Sequence, residues 1–433
     1  MAVPAPPTGT PRRPPRAPRP EPVPRATSAR VAELGRGVSE EDFWRAVRRE
    51  GTPLAEPDPA GREDHAVVTF LWRGTDSTRA VRVMPNKVGD PDDPAGNLMD
   101  RVPGTRVWHW SVRMRRDWRA TYALGVDEGD APPDAHPGDA AAGGARPCAR
   151  RRDDPLNPRT LASRWGGEPV SYLELPDAPR GDDWGERAGV GRGTVSVHDV
   201  PSRLLGAGRR VWLYEPPEHG GRGNRSAGLP VLVLLDGEMW QPGLGVATLL
   251  DNLIADGRLP PLVALLPDSV DASTRWEELA CAERFVGFLR DELLPWAAGR
   301  LPLTADPART VVAGQSLGGL TAAYAAVAAP ERFGAVLAQS GSFWWPNDTA
   351  AEWLTGVIAR SERLPVRFWF SAGEQEWVAL PANRRLRDTL AVRGYDDAVY
   401  REFNGGHDYL CWRTELADGL TGLLARPDAR RPA

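Results

Sequence analysis

Lysine is almost missing from this chain. Lys87 is the only one in 433 residues, so nearly all of the 54 basic side chains are arginine. The bias reads as the mark of a GC-rich coding sequence, although arginine's planar fork also suits a multiply charged anion. Cysteine is scarce as well. Cys148, Cys281 and Cys411 are too few and too far apart for a metal pattern or a disulfide framework, which fits a reducing compartment. No apolar run is long enough to span a membrane, so no membrane partner is expected. The opening residues are rich in proline, arginine and alanine, with no apolar stretch behind the basic residues. No secretory signal is therefore expected, and the cytoplasm is the expected location. A formal net charge of -4 argues against a dedicated nucleic-acid binder. There are no internal repeats.

A chain of this length calls for two domains. Residues 1–38 read as a disordered Pro/Arg-rich tail. The run Ser39-Glu40-Glu41-Asp42-Phe43-Trp44 then starts like a capped amphipathic helix. Short β-like runs follow at 66–72, 80–85, 106–114 and 119–126, with clear alternation in Val107-Trp108-His109-Trp110-Ser111-Val112. Residues 39–175 are accordingly expected to form a small β-sandwich domain. A loop is expected at 127–149 and a linker at 176–193. Strands and helices alternate over 194–433, and several strands are apolar throughout, as in a parallel sheet covered on both faces. The expected fold class is α/β, with a C-terminal α/β-hydrolase domain behind the sandwich.

The chemistry is concentrated in Val311-Val312-Ala313-Gly314-Gln315-Ser316-Leu317-Gly318-Gly319: a buried strand, a tight turn with serine at its apex, then a helix of small residues. This Gly-x-Ser-x-Gly spelling presents a nucleophilic hydroxyl on a sharp turn, with glycines at 314 and 318 where side chains would collide. Serine needs a base. Of six histidines, five precede Ser316, and the triad order serine, acid, histidine leaves His407, in Gly405-Gly406-His407-Asp408. The acid should follow the strand at 367–372, where Glu374 and Glu376 are both candidates; Asp396 and Asp397 are poorer ones. Two backbone N–H groups should hold the developing oxyanion: one from Leu317, the other from Gly237 or Glu238 in the loop after the third strand. Asp236 reads as a structural cap or staple.

Taken together, these motifs resemble the enterochelin (enterobactin) esterases, within the esterase D-like α/β-hydrolases. The carrying residues are Leu234-Leu235-Asp236-Gly237, the elbow, Pro330-Glu331-Arg332-Phe333-Gly334, Gln339-Ser340-Gly341-Ser342-Phe343-Trp344-Trp345, and the Gly-Gly-His-Asp loop with Cys411-Trp412-Arg413. In the front half they are Phe43-Trp44, 68–73, 104–110, Asp117-Trp118-Arg119 and 154–158, so the resemblance covers roughly 39–424. It implies Ser316 as nucleophile, His407 as base and Glu376, rather than Glu374, as acid. It also implies Arg275 as a substrate-facing arginine; read from the sequence alone, a salt bridge to Glu278 is an equal alternative. Trp240, Trp344 and Trp345 are expected as aromatic walls for a ferric tris-catecholate. The implied reaction is hydrolysis of a trilactone siderophore, with no cofactor, since iron arrives bound to the substrate, and no obligate protein partner. Trp72, Trp108, Trp110 and Trp118 read as core, with a minority reading in which Trp108 or Trp110 stacks on catechol rings. Arg113, Arg115 and Arg116 read as a solvated face. Competing readings are a feruloyl or acetyl esterase with a carbohydrate-binding β-domain, and a ferric-siderophore carrier without catalysis.

Overall fold

The computed structural model describes residues 4–7, 14–15, 21–90, 93–129, 150–217, 228–348 and 350–425. Most of the loop expected at 127–149, including Cys148, lies outside these. The chain divides into two compact units: Pro18–Pro179 with Asn404–Cys411, and Met1–Ala17 with Arg180–Phe403 and Trp412–Ala433.

The first of these opens with α1 (Ala29–Leu34), capped by the Ser28 hydroxyl, which accepts the Val31 N–H at 3.1 Å. This helix corrects the expectation of a disordered tail over 1–38, because a serine cap and the buried Val31 give the segment its own anchor. Helix α2 (Glu40–Glu50) is capped by Ser39, carries acids in its first turn and Arg48 and Arg49 in its last, and buries Phe43, Trp44 and Val47. The strands are β1 (Leu54–Pro57), β2 (His65–Arg73), β3 (Ala80–Pro85), β4 (Asp100–Arg101), β5 (Val107–Arg115), β6 (Arg119–Asp127), β7 (Arg150–Arg152), β8 (Thr160–Leu161) and β9 (Val170–Glu174). They form two antiparallel sheets, β1-β2-β5-β4 and β3-β6-β9-β8, with β7 paired to β6. Register places Phe70 opposite Trp110 and Val68 opposite Val112. These inward residues share one core with Val83, Tyr122, Leu124 and Leu173 of the other sheet. Trp108, Trp110 and Trp118 are all buried in that core, as the majority reading of the sequence has them. Arg113, Arg115 and Arg116 are each ion-paired, with Asp58, Asp117 and Asp177.

The larger unit is built on eight strands: β10 (Thr194–Val200), β11 (Arg209–Glu215), β12 (Val231–Leu234), β13 (Val263–Pro267), β14 (Thr310–Gln315), β15 (Ala335–Gln339), β16 (Arg367–Gly373) and β17 (Val399–Phe403). Their order is β10-β11-β13-β12-β14-β15-β16-β17. The first two pairings are antiparallel and the rest parallel. Every residue of β12, β13, β14 and β15 is buried, because helices cover both faces. Each fully buried leucine or valine there contributes about 1.5–3 kcal/mol. The helices are α3 (Val246–Ala255), α4 (Ala272–Leu279), α5 (Glu283–Gly287), α6 (Leu294–Ala298), α7 (Leu317–Ala328), α8 (Trp353–Arg360), α9 (Ala379–Val392) and α10 (Tyr409–Leu424). The strand order and the helix after β14 are those of an α/β-hydrolase. Between α5 and α6 the chain takes a wide-turned segment, Phe288–Leu293, before Pro295, which has no N–H to donate. The 176–193 connector is pinned rather than loose. Trp184 stacks on Trp240 with ring centroids 6.0 Å apart, and Arg187 bonds Asn252 and Asp256 of the α3 region.

Candidate active site

Ser316 sits between β14 and α7 with φ 59° and ψ −121°, a conformation that non-glycine residues adopt only under constraint. Three backbone bonds hold it there. Its N–H donates to the Gln339 carbonyl at 3.0 Å, and its own carbonyl accepts from Leu320 and Ser342. The two glycines of the motif are not equivalent. A Cβ on Gly314 would lie 2.5 Å from the backbone of Gly318, whereas a Cβ on Gly318 would meet nothing closer than Asp236 Oδ2 at 3.5 Å. The collision inferred from the sequence therefore applies to Gly314 alone. Gly314→Ala is expected to lower the melting temperature and block labelling of Ser316 by a fluorophosphonate, whereas Gly318→Ala is expected to keep both, measurable by thermal melts and mass spectrometry.

Leu317 is the first residue of α7, where a backbone N–H has no partner within the helix. The other expected donors, Gly237 and Glu238, follow β12. Glycine is needed at 237 because a Cβ would fall 2.3 Å from the Leu266 carbonyl oxygen. The close approach is to strand β13. Glu238 is anchored by its carboxylate, which accepts the Ser269 N–H at 3.0 Å and the Ser269 hydroxyl.

Arg275 does not make the salt bridge to Glu278 that the sequence offered as one of its two readings. Glu278 is taken by Arg209, through bonds of 2.6 and 2.7 Å. The Arg275 guanidinium grips Asp236 instead, Nε to Oδ1 at 2.7 Å and Nη2 to Oδ2 at 2.8 Å. Burial works against its charge, but the Asp236 carboxylate outweighs that and holds its pKa above the ordinary arginine value. The expected aromatic walls are core. Trp240 is 0% exposed and Trp345 2%. Trp344 is buried against Trp276. The Trp240 indole donates to the Gln315 side chain at 3.0 Å. That amide leads through Gln339 to the Trp412 carbonyl, a buried ladder under the elbow that single-residue reasoning did not find.

Environment separates the two glutamates. Glu374 is exposed, whereas Glu376 is 2% exposed at the turn after β16. The Glu376 carboxylate accepts the Gly373 N–H at 2.8 Å and the Ser340 hydroxyl, which in turn accepts the Trp412 indole N–H. Ser342 was also missed: its hydroxyl lies 3.3 Å from that of Ser316. The sequence signal for it was the Ser340-Gly341-Ser342 run.

His407 follows β17 on the segment Asn404–Cys411, which clusters with the sandwich strands, whereas Ser316 and Glu376 belong to the other unit. Around it, Asn86 donates to the His407 carbonyl at 3.0 Å, and the buried Asp408 carboxylate accepts the Thr121 and Leu410 N–H groups. Gly406 is required by crowding. A Cβ there would lie 2.6 Å from the Asn86 carbonyl oxygen, and its φ is outside the left-handed region.

Residues 67–184 match the family model described as "Enterochelin esterase, N-terminal", and residues 202–423 the model described as "Putative esterase". The chain is 36% identical over 427 residues to the iron(III) enterobactin esterase of Dickeya dadantii (strain 3937), covering 90% of this chain and 94% of that one. It is 31% identical over 398 residues to the iron(III) salmochelin esterase of Escherichia coli O6:H1, covering 88% and 93%. The crystal structure of the Shigella flexneri enterobactin esterase in the presence of enterobactin aligns with a TM-score of 0.73 at 32% identity, over 89% of this chain and 98% of that one. With both halves matched over most of its length, the chain belongs to the enterochelin esterase family and is an ester hydrolase.

Proposed function

We propose that this protein cleaves the seryl ester bonds of a catecholate trilactone siderophore, free or iron-loaded, and so frees iron inside the cell. Ser316 Oγ attacks the ester carbonyl while its proton passes to His407. The oxyanion is received by the N–H groups of Leu317 and of Gly237 or Glu238. Collapse breaks the C–O bond, and the seryl alcohol leaves with the proton from His407. Water, deprotonated by His407, then releases the acid from Ser316. Glu376 orients the imidazole and stabilises its charged form. Opening the scaffold weakens its hold on ferric ion through lost preorganisation. The chemistry calls for no resident metal, since iron is cargo. The reducing cytoplasm is the proposed setting, which suits the buried thiols of Cys281 and Cys411. No helix among the described residues is long and apolar enough to cross a membrane.

The observation that carries this reading is the constrained Ser316 between β14 and α7, in a chain of this family. Mass-spectrometric analysis of a ferric catecholate trilactone incubated with the protein should show linear trimer, dimer and monomer accumulating. Release of ferulate from methyl ferulate with the trilactone left intact would overturn the substrate assignment. Tight binding with no product would overturn the reaction. Gly406→Ala supplies a further check, since its methyl group would press the His407 loop off Asn86. The expected loss is about 10²-fold in kcat, the usual cost of a misplacement near 1 Å, with the far-UV circular dichroism spectrum unchanged.

A further inference from the structure

We propose that the buried Asp236–Arg275 ion pair is a positioning device for the oxyanion site, fixing the loop after β12 against the nucleophile turn. The proposal rests on the catalytic reading above. Asp236 lies two residues past the end of β12 with a left-handed backbone, φ 64°, and its side chain is 0% exposed. Arg275 reaches it from α4 and closes a two-bonded fork on the carboxylate. The same Nη2 donates to the carbonyl of Gln315 at 3.2 Å. One guanidinium thus joins the residue before Gly237 and Glu238 to the residue before Ser316 and Leu317. Those are the two backbone segments that supply the oxyanion donors.

Two further interactions make the tie stiff. Asp236 Oδ2 lies beside Gly318 in the first turn of α7, where an added Cβ would meet it at 3.5 Å. On the other side, Glu238 caps Ser269, in the segment that leads into α4. Glycine or asparagine would satisfy the left-handed backbone at 236, but only a carboxylate also meets the guanidinium fork. Oxyanion donors must lie within roughly 0.5 Å of their working positions, and a desolvated bidentate pair holds two loop segments more rigidly than loop packing alone. On this account Arg275 acts through the backbone rather than by touching the substrate's charge.

The test compares wild type, Arg275→Lys and the double variant Asp236→Asn/Arg275→Gln on two substrates, uncharged p-nitrophenyl acetate and a ferric catecholate trilactone. Arg275→Lys keeps the charge but loses the fork. It is expected to lower kcat about 10²-fold on both substrates, with KM changed less than about threefold. In the double variant two neutral amides can pair, so the melting temperature should return close to wild type while kcat stays low. The proposal is overturned if kcat recovers together with the melting temperature, since the pair is then only structural. It is also overturned if the loss is confined to KM for the ferric substrate, since Arg275 is then an anion-binding group. Fluorophosphonate labelling separates the two levels of the argument. Failure to label Ser316 in wild type sinks the catalytic reading and this proposal with it. Equal labelling rates in wild type and Arg275→Lys sink the proposal alone.

Discussion

Ser316→Ala is expected to lower kcat for trilactone hydrolysis by about 10⁴–10⁶-fold while leaving the fold and substrate binding in place. The size of the effect follows from the role: without Oγ no acyl-enzyme forms, and only the oxyanion donors and substrate binding remain. The fold should survive because the turn is held by the backbone, through Gln339, Leu320 and Ser342, rather than by the hydroxyl. Alanine bears the same left-handed strain as serine at φ 59°. The hydroxyl itself only approaches that of Ser342, at 3.3 Å, so its removal costs the turn little. Isothermal titration with a ferric catecholate trilactone should therefore give wild-type affinity alongside the abolished turnover. Substantial residual kcat would mean that another nucleophile does the work.

Glu376→Gln carries the second large effect, a loss of about 10²–10⁴-fold in kcat by analogy with neutralising the acid of a triad, whereas Glu374→Gln should change kcat less than about twofold, as for exposed charges generally. Burial makes the difference. Glu374 is exposed, whereas Glu376 is buried and bonded by Gly373 and by Ser340, which Trp412 holds in turn. Glutamine at 376 would place an amide N–H where a carboxylate now only accepts, and the neutral side chain would no longer stabilise an imidazolium. Steady-state kinetics of the two variants side by side decide it, and the reverse order would reject the acid assignment.

The elbow and the sheet were legible in the sequence because their signals are local. A strand apolar on both faces, a glycine whose Cβ would strike the backbone of Gly318 and a run of small helical residues all lie within 310–328. Strand β3 was read to the residue for the same reason: turn signals bracket an alternating run. What escaped was long-range pairing. Asp236 and Arg275 are 39 residues apart, and nothing in either neighbourhood says that they meet; the nearer Glu278 was the natural partner, but Arg209 claims it. Tryptophan misled in a related way. A large aromatic beside a catalytic motif fits a substrate wall and a core equally well, and only packing puts Trp240 and Trp345 inside. Helix α1 was hidden by composition, since the proline- and arginine-rich run before it masked a short segment that Ser28 caps. The clustering of the His407 segment with the sandwich strands has no sequence signature, because it depends on hydrogen bonds from Asn86 and Thr121, both more than 280 residues away.

The most direct test of the account is to quench turnover of a ferric catecholate trilactone in acid within the first catalytic cycles and to map the covalent adduct by peptide mass spectrometry. The account predicts a transient catecholamide-serine acyl group on Ser316 that rises before product and vanishes as substrate runs out. Hydrolysis that proceeds at full rate with no acyl group on Ser316 at any time point, or with the group on another residue, would contradict it.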